Sequence, residues 1–204
     1  MRSDEVKYAG IGLRAPALII DVIIFMGVCL LMIRLENYSF VSYAVSRYLL
    51  TVFVVAYDIF FLVKFGATPG KLAMKIKVVK TSLEPISFKE AFLRLSVNIL
   101  FGVLSLIAFT IAFNSFSSEP YRVMTYIEKA RYMGSFYPHW SNYIPTFSVL
   151  WGFGNLISIL LNKKRRAIHD FIAGTVVIIR PDKYKIYDVP VPEKPKEQEE
   201  PATI

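Results

Sequence analysis

One stretch, Leu13 to Ile33, constrains this chain more than any other: LRAPALIIDVIIFMGVCLLMI. At ~1.5 Å rise per residue, a helix of that length crosses a hydrocarbon core of about 30 Å. Yet Arg14 opens the run and Asp21 lies inside it. An aspartate within a span costs roughly 2.5 to 3.5 kcal/mol on insertion scales, so Asp21 must face protein or water. Arg14 and Asp21 share a helix face. Side chains lean toward a helix N-terminus, so Arg14 is expected to snorkel to the headgroups. That leaves Asp21 ~10 Å deeper and in need of another partner. The run is too long for a signal-peptide core and lacks a small-x-small exit, so it is read as a retained span.

Three more apolar runs follow, giving expected spans of about 15–33, 44–63, 95–113 and 143–161. With 54% hydrophobic and only 20% charged residues, the composition fits a small multi-pass membrane protein rather than a soluble domain. The net charge of +8 does not argue for nucleic acid, because the Lys and Arg residues border the apolar runs. They crowd before span one, between spans two and three, and after span four. The positive-inside rule then puts both termini and the middle loop in the cytoplasm, in a cell membrane. The single cysteine, Cys29, is read as a packing residue within span one.

The loop from Asn114 to Asn142 is expected to hold an amphipathic helix on the outer interface, with Ser118 as its cap and Pro120 in its first turn. Tyr132, Phe136, Tyr137, Trp140 and Tyr143 form an aromatic belt leading into span four. Asn37-Tyr38-Ser39 is a sequon on the same side, of little weight because such tripeptides are common by chance. On the cytoplasmic side, Thr68 and Pro69 start a short turn, and Lys75–Lys80 alternates as a strand. Ser87 and Glu90 form a capping box before span three. Ala167–Ala173 reads as a short helix ended by Gly174, and Thr175–Ile179 as a second strand that should pair with the first.

An internal repeat follows from these elements. A shift of 100 aligns Leu72–Lys80 with Ile172–Arg180, and a shift of 80 aligns Arg14 with Arg94. Each half is a lead-in with arginine, two spans, a turn and a strand, as in parallel repeats about the membrane normal. Residues 181–204 are rich in Pro, Glu and Lys and read as a disordered cytoplasmic tail, leaving 1–180 as the transmembrane domain. The expected fold is therefore an all-α membrane protein. It is a four-helix transmembrane bundle with a small cytoplasmic two-strand element and an outer interfacial helix.

Candidate chemistry lies in the inner half of the bundle. Asp58 sits ~9 Å from the boundary marked by Lys64, about level with Asp21, and two carboxylates at one depth suit a hard cation or proton exchange. Asn98 of span three and Asn155 of span four are at comparable depth, so Asp21, Asp58, Asn98 and Asn155 are candidate ion or proton ligands. The competing expectation is a set of fixed ion pairs to Arg14, Arg94 or Lys64 that hold the bundle. Gly66-Ala67-Thr68-Pro69-Gly70-Lys71 is not a phosphate loop, since only three residues separate its glycines and Leu72 stands where Ser or Thr is required. His169-Asp170 lacks the further histidines of a metal site. No catalytic set is visible, so no enzyme activity, cofactor or metal is expected.

Taken together, Arg14 and Asp21, GATPGKLAMKIKVV, ISFKEAFLR and RRAIHDFIAGTVVI resemble the RDD family of integral membrane proteins. The resemblance spans about Tyr8 to Arg180. It implies Arg14 as the named arginine and Asp21 as the first aspartate, with Asp170 the second and Asp58 the weaker candidate. It also implies transport, with exchange of sodium or potassium for protons as the concrete expectation, or else an adaptor within larger membrane machinery. Two functional readings stay open. One is a cation/proton antiporter, handling Na+, K+ or Li+, with Asp21 at its centre. The other is a non-transporting scaffold in which Arg14, Arg94, Lys71, His169 and Asp170 are structural charges. A headgroup-binding role is a third, motivated by the basic inner face. Four spans are few for a transporter, so a homo-oligomer or a membrane-protein partner is expected.

Overall fold

A computed structural model describes residues 6–36, 39–115 and 124–180. The sequon residues Asn37 and Tyr38, the proposed cap Ser118 with Pro120, and the tail 181–204 lie outside the described residues. Four helices are long and apolar enough to cross a membrane. In chain order the elements are α1 (Ile11–Glu36), α2 (Phe40–Phe65), α3 (Pro69–Ala73), β1 (Ile76–Lys80), α4 (Phe88–Asn114), α5 (Tyr126–Gly134), a 3-10 turn (His139–Asn142), α6 (Tyr143–Leu161), α7 (Ile168–Ile172) and β2 (Thr175–Ile179).

Local chemistry sets the ends. Ser39 opens α2 by accepting a hydrogen bond from the Ser42 amide at 3.0 Å. Gly66 closes it in the left-handed region at φ 70°, donating to the Leu62 carbonyl, and a Cβ there would also run into Lys77. At the start of α4, Glu90 accepts from the amide and hydroxyl of Ser87 at 2.7 and 2.6 Å, which is the expected capping box. The described α5 begins at Tyr126, and its cap is Thr125, whose amide donates to Glu128 at 2.7 Å.

The two strands pair antiparallel with Val78 opposite Val177, and the chain before α1 and before α4 adds to an edge. Tyr8 bridges to Ile178 on one side and Pro85 to Val79 on the other. The repeat is therefore present in the architecture: α1-α2-α3-β1 corresponds to α4-α6-α7-β2, and α1 packs on α3 as α4 packs on α7. The offset differs from expectation by one residue. Pro69 corresponds to Ile168 and Ile76 to Thr175, a shift of 99 rather than 100. A one-residue slip turns each strand side chain to the other face, so the shift of 99 sets the true equivalences, among them Lys71 with Asp170.

Buried apolar packing gathers at the two ends of the bundle. At the sheet end, Ala9, Ala17, Leu62, Ile76, Val78, Ala91 and Val177 form one core. At the other end, Tyr43, Ala44, Phe109, Ala112 and Met133 form a second, in which α5 seats Met133 against α2 and α4. Phe136 and Tyr137 of the aromatic run pack there too, while Trp140 and Tyr143 remain exposed.

Candidate functional site

The most heavily charged point is Asp170, which is fully buried. It sits in the first turn of α7, where it accepts from the Ala167 amide at 2.9 Å. Arg14 Nη1 donates to its Oδ2 at 2.9 Å, and Arg94 Nη1 donates to its Oδ1. Thr175 Oγ1 adds a bond at 3.3 Å and also accepts from Arg94 at 3.0 Å. Burial alone would raise this carboxyl, but the charges of Arg94 and Arg14, with the Ala167 amide, hold it well below the usual carboxylate range. Burial, with Arg94 close by, pushes the His169 imidazole down to about 3, so it is neutral at physiological pH.

Arg14 does not snorkel. Its remaining donors go to the Ala9 carbonyl at 3.0 Å and the Arg165 carbonyl at 2.7 Å, and its side chain is only 12% exposed. Three fixed acceptors, one for each guanidinium nitrogen, outcompete the headgroups, because one of them is the buried carboxylate of Asp170. Lys64, the other candidate ion-pair partner, instead lies over the rings of Phe60 and Phe65.

Asp21 finds its partner in α3. Its Oδ2 accepts from the Thr68 hydroxyl at 2.6 Å and its Oδ1 from the Gly70 amide at 2.7 Å. Thr68 and Pro69 present the amides of a new helix turn, and Asp21 supplies the acceptor from a neighbouring helix. The approach requires glycine at position 70: an added Cβ would overlap the Ala17 carbonyl oxygen and lie 2.8 Å from the Asp21 carboxyl carbon. Asn155 does the same for α7. Its Oδ1 accepts from the His169 amide at 3.2 Å while its Nδ2 donates to Trp151. Gly70 and His169 are equivalent under the repeat, so the short helix of each half is held at its second amide by a polar side chain from a long helix.

Asp58 is different. It makes no hydrogen bond or ion pair among the described residues, although the charges of Lys71, Asp21 and Arg94 act on it. It lines a cavity of about 290 Å³ between α2 and α4 with Asn98, Thr51, Gly102 and apolar side chains. Its neighbour Tyr57 has a buried hydroxyl without a partner among the described residues, and its ring packs edge-on against Phe25 of α1. Of the four expected ligands, then, Asp58 and Asn98 share one cavity and Asp21 lies within electrostatic reach. Asn155 is occupied at α7. Sequence reasoning missed Tyr57, because a tyrosine within an aromatic-rich span gives no signal of its own. It also missed Thr68 and Gly70 as partners of Asp21, for which the Thr-Pro-Gly cap was the available clue.

Three cations, Arg14, Arg94 and Lys71, act on three carboxylates, Asp21, Asp58 and Asp170, and Arg166 joins them at the α7 corner by donating to the Asp170 and Thr175 carbonyls at 3.0 Å. Among the described residues no group of three or more His, Cys, Asp or Glu could hold a metal ion.

A bundle of four membrane-length helices, with a cluster of opposite charges where its short helices tuck in, defines a polytopic membrane protein built from two related halves. The RDD family model matches residues 8–174, most of the chain, and the protein belongs to the RDD family. No curated protein and no solved structure matches it significantly.

Proposed function

We propose that this protein is a secondary transporter that exchanges a monovalent cation for a proton at Asp58, with no enzymatic activity. One observation carries the reading: the carboxylate of Asp58 lines a cavity between two spans without a bonded partner among the described residues, while Asp21 and Asp170 are held in place. An ionisable group in a span is costly, which makes a functional role its default reading. A carboxylate in such a place accepts either a proton or a hard cation, each of charge +1, so alternating occupancy exchanges them one for one. Asn98 offers a carbonyl oxygen in the same cavity, and the neighbouring Tyr57 hydroxyl, on which both Asp21 and Asp58 act electrostatically, has no partner among the described residues. Sodium, potassium and lithium all have the required hardness. The assignment moves the working carboxylate from Asp21 to Asp58, because Asp21 is already committed to α3.

The basic sheet end is placed in the cytoplasm by the positive-inside rule, with α5 at the outer interface. A second copy of the chain is the proposed means of completing a pathway that four spans alone enclose poorly. The test is proton flux in proteoliposomes with a trapped pH dye under pulses of each cation. Flux in wild type that disappears in folded Asp58→Asn supports exchange at Asp58. Absence of flux with every cation in folded wild type contradicts it. The second reading, a scaffold, is favoured by the fixed state of Arg14, Arg94 and Asp170. It predicts a stable protein partner and no flux.

A further inference from the structure

A second cavity, of about 580 Å³, opens between α2, α4 and α6 on the α5 side of the Asp58 cavity. Its walls carry hydroxyls and an amide from Thr51, Ser105, Ser141, Ser148 and Asn142, together with Arg47. Arg47 is paired with the buried Glu36 at 3.4 Å, so the charged pair is neutral overall. The hydroxyls of Thr51 and Ser148 donate to the carbonyls four residues back, at 3.1 and 2.9 Å. Their oxygen lone pairs are thereby left as acceptors, which suits water and hydrated cations.

Thr51 belongs to both cavities. It sits against Gly102, where an added Cβ would lie 3.6 Å from the Thr51 methyl carbon. Along α2, Arg47, Thr51 and Asp58 fall at helical spacing on one face. Along α4, Asn98, Gly102 and Ser105 do the same. The two polar faces oppose each other, and the Thr51–Gly102 contact is where they close.

We infer that the larger cavity is a water-filled vestibule leading to Asp58, and that Thr51 against Gly102 is the constriction between them. The vestibule takes water and small hydrated cations. This deepens the exchange reading, on which it rests only for what travels, because accessibility is read without transport.

The test uses the full chain with Cys29→Ser, reconstituted in liposomes, and a charged methanethiosulfonate reagent added to one face. Ser105→Cys should react about tenfold faster than Gly152→Cys, whose position is exposed on α6 with nothing within 4 Å. Asn98→Cys should be slow from that face, and about tenfold faster once Thr51→Ala or the milder Thr51→Ser removes the methyl. Two results would overturn the inference. In one, Ser105→Cys reacts only with a lipophilic maleimide, as a lipid-filled cavity requires. In the other, the Asn98→Cys rate is indifferent to both Thr51 variants. If the thiol pattern holds and no cation drives flux, the vestibule stands and the exchange reading falls.

Discussion

Asp170 and Asp58 are both carboxylates of the same bundle, and they are held in opposite ways. Asp170 accepts from two arginines, a backbone amide and a threonine, and has no freedom left. Asp58 lines a cavity with no bonded partner among the described residues. The repeat sharpens the contrast. The position equivalent to Asp170 in the first half is Lys71, so the α7 corner concentrates cations on an anion. The α3 corner places a cation near two anions, Asp21 and Asp58. A doubly clamped ion is a fastener, because removing either side strands a buried charge. A carboxylate near, but not bonded to, a lysine can change its occupant without dismantling its surroundings.

The largest expected effect is at the clamp. Asp170→Asn leaves two buried guanidiniums without their counter-ion and should cost about 3 to 5 kcal/mol, read as loss of monodisperse protein on size-exclusion chromatography. Arg94→Lys should retain only part of the wild-type yield, since the ammonium cannot reproduce the guanidinium geometry toward Asp170 and Thr175. Gly70→Ala should follow. Its methyl group overlaps backbone, and overpacking of this kind costs about 1 to 3 kcal/mol in thermal unfolding. Asp21→Ala should be similarly damaging, whereas Asp21→Asn keeps an acceptor for the Gly70 amide and should fold.

His169 gives a smaller, pH-dependent effect. Its folded pKa, near 3, lies below the ordinary 6.5. Between those values the unfolded chain binds a proton that the folded chain does not, so stability falls as pH drops from about 6.5 toward 3. Melting temperature measured across that range should fall less steeply in His169→Asn. The smallest structural effect is at Asp58. Asp58→Asn breaks no bond among the described residues and should shift stability by less than about 1 kcal/mol. A large loss there would erase the distinction between the two carboxylates.

The membrane architecture was legible because long apolar runs, basic flanks and caps such as Ser87-Glu90 are local signals. The strands and the repeat were legible too, though one residue out of register. Short apolar stretches align at neighbouring offsets, and only pairing Val78 with Val177 decides between them. The fate of Arg14 was not legible, since its acceptors Ala9, Arg165 and Asp170 come together only when both halves fold. Asp21 could be placed at the right depth without its partner. Its acceptor role depends on Gly70 reaching α1, which is a matter of tertiary packing. Asp58 and Asn98 could be matched by depth, and their meeting in one cavity depended on helix rotation.

The most direct test is the cation-dependent melting temperature of purified wild type beside Asp58→Asn, in sodium, potassium and lithium against a large inert cation. A ligand that binds only the folded state raises stability by RT ln(1 + [L]/Kd). The account predicts that at least one small cation raises the melting temperature of wild type, that a higher proton concentration competes with it, and that Asp58→Asn melts near wild type with no cation response. An undiminished cation response in Asp58→Asn would contradict it.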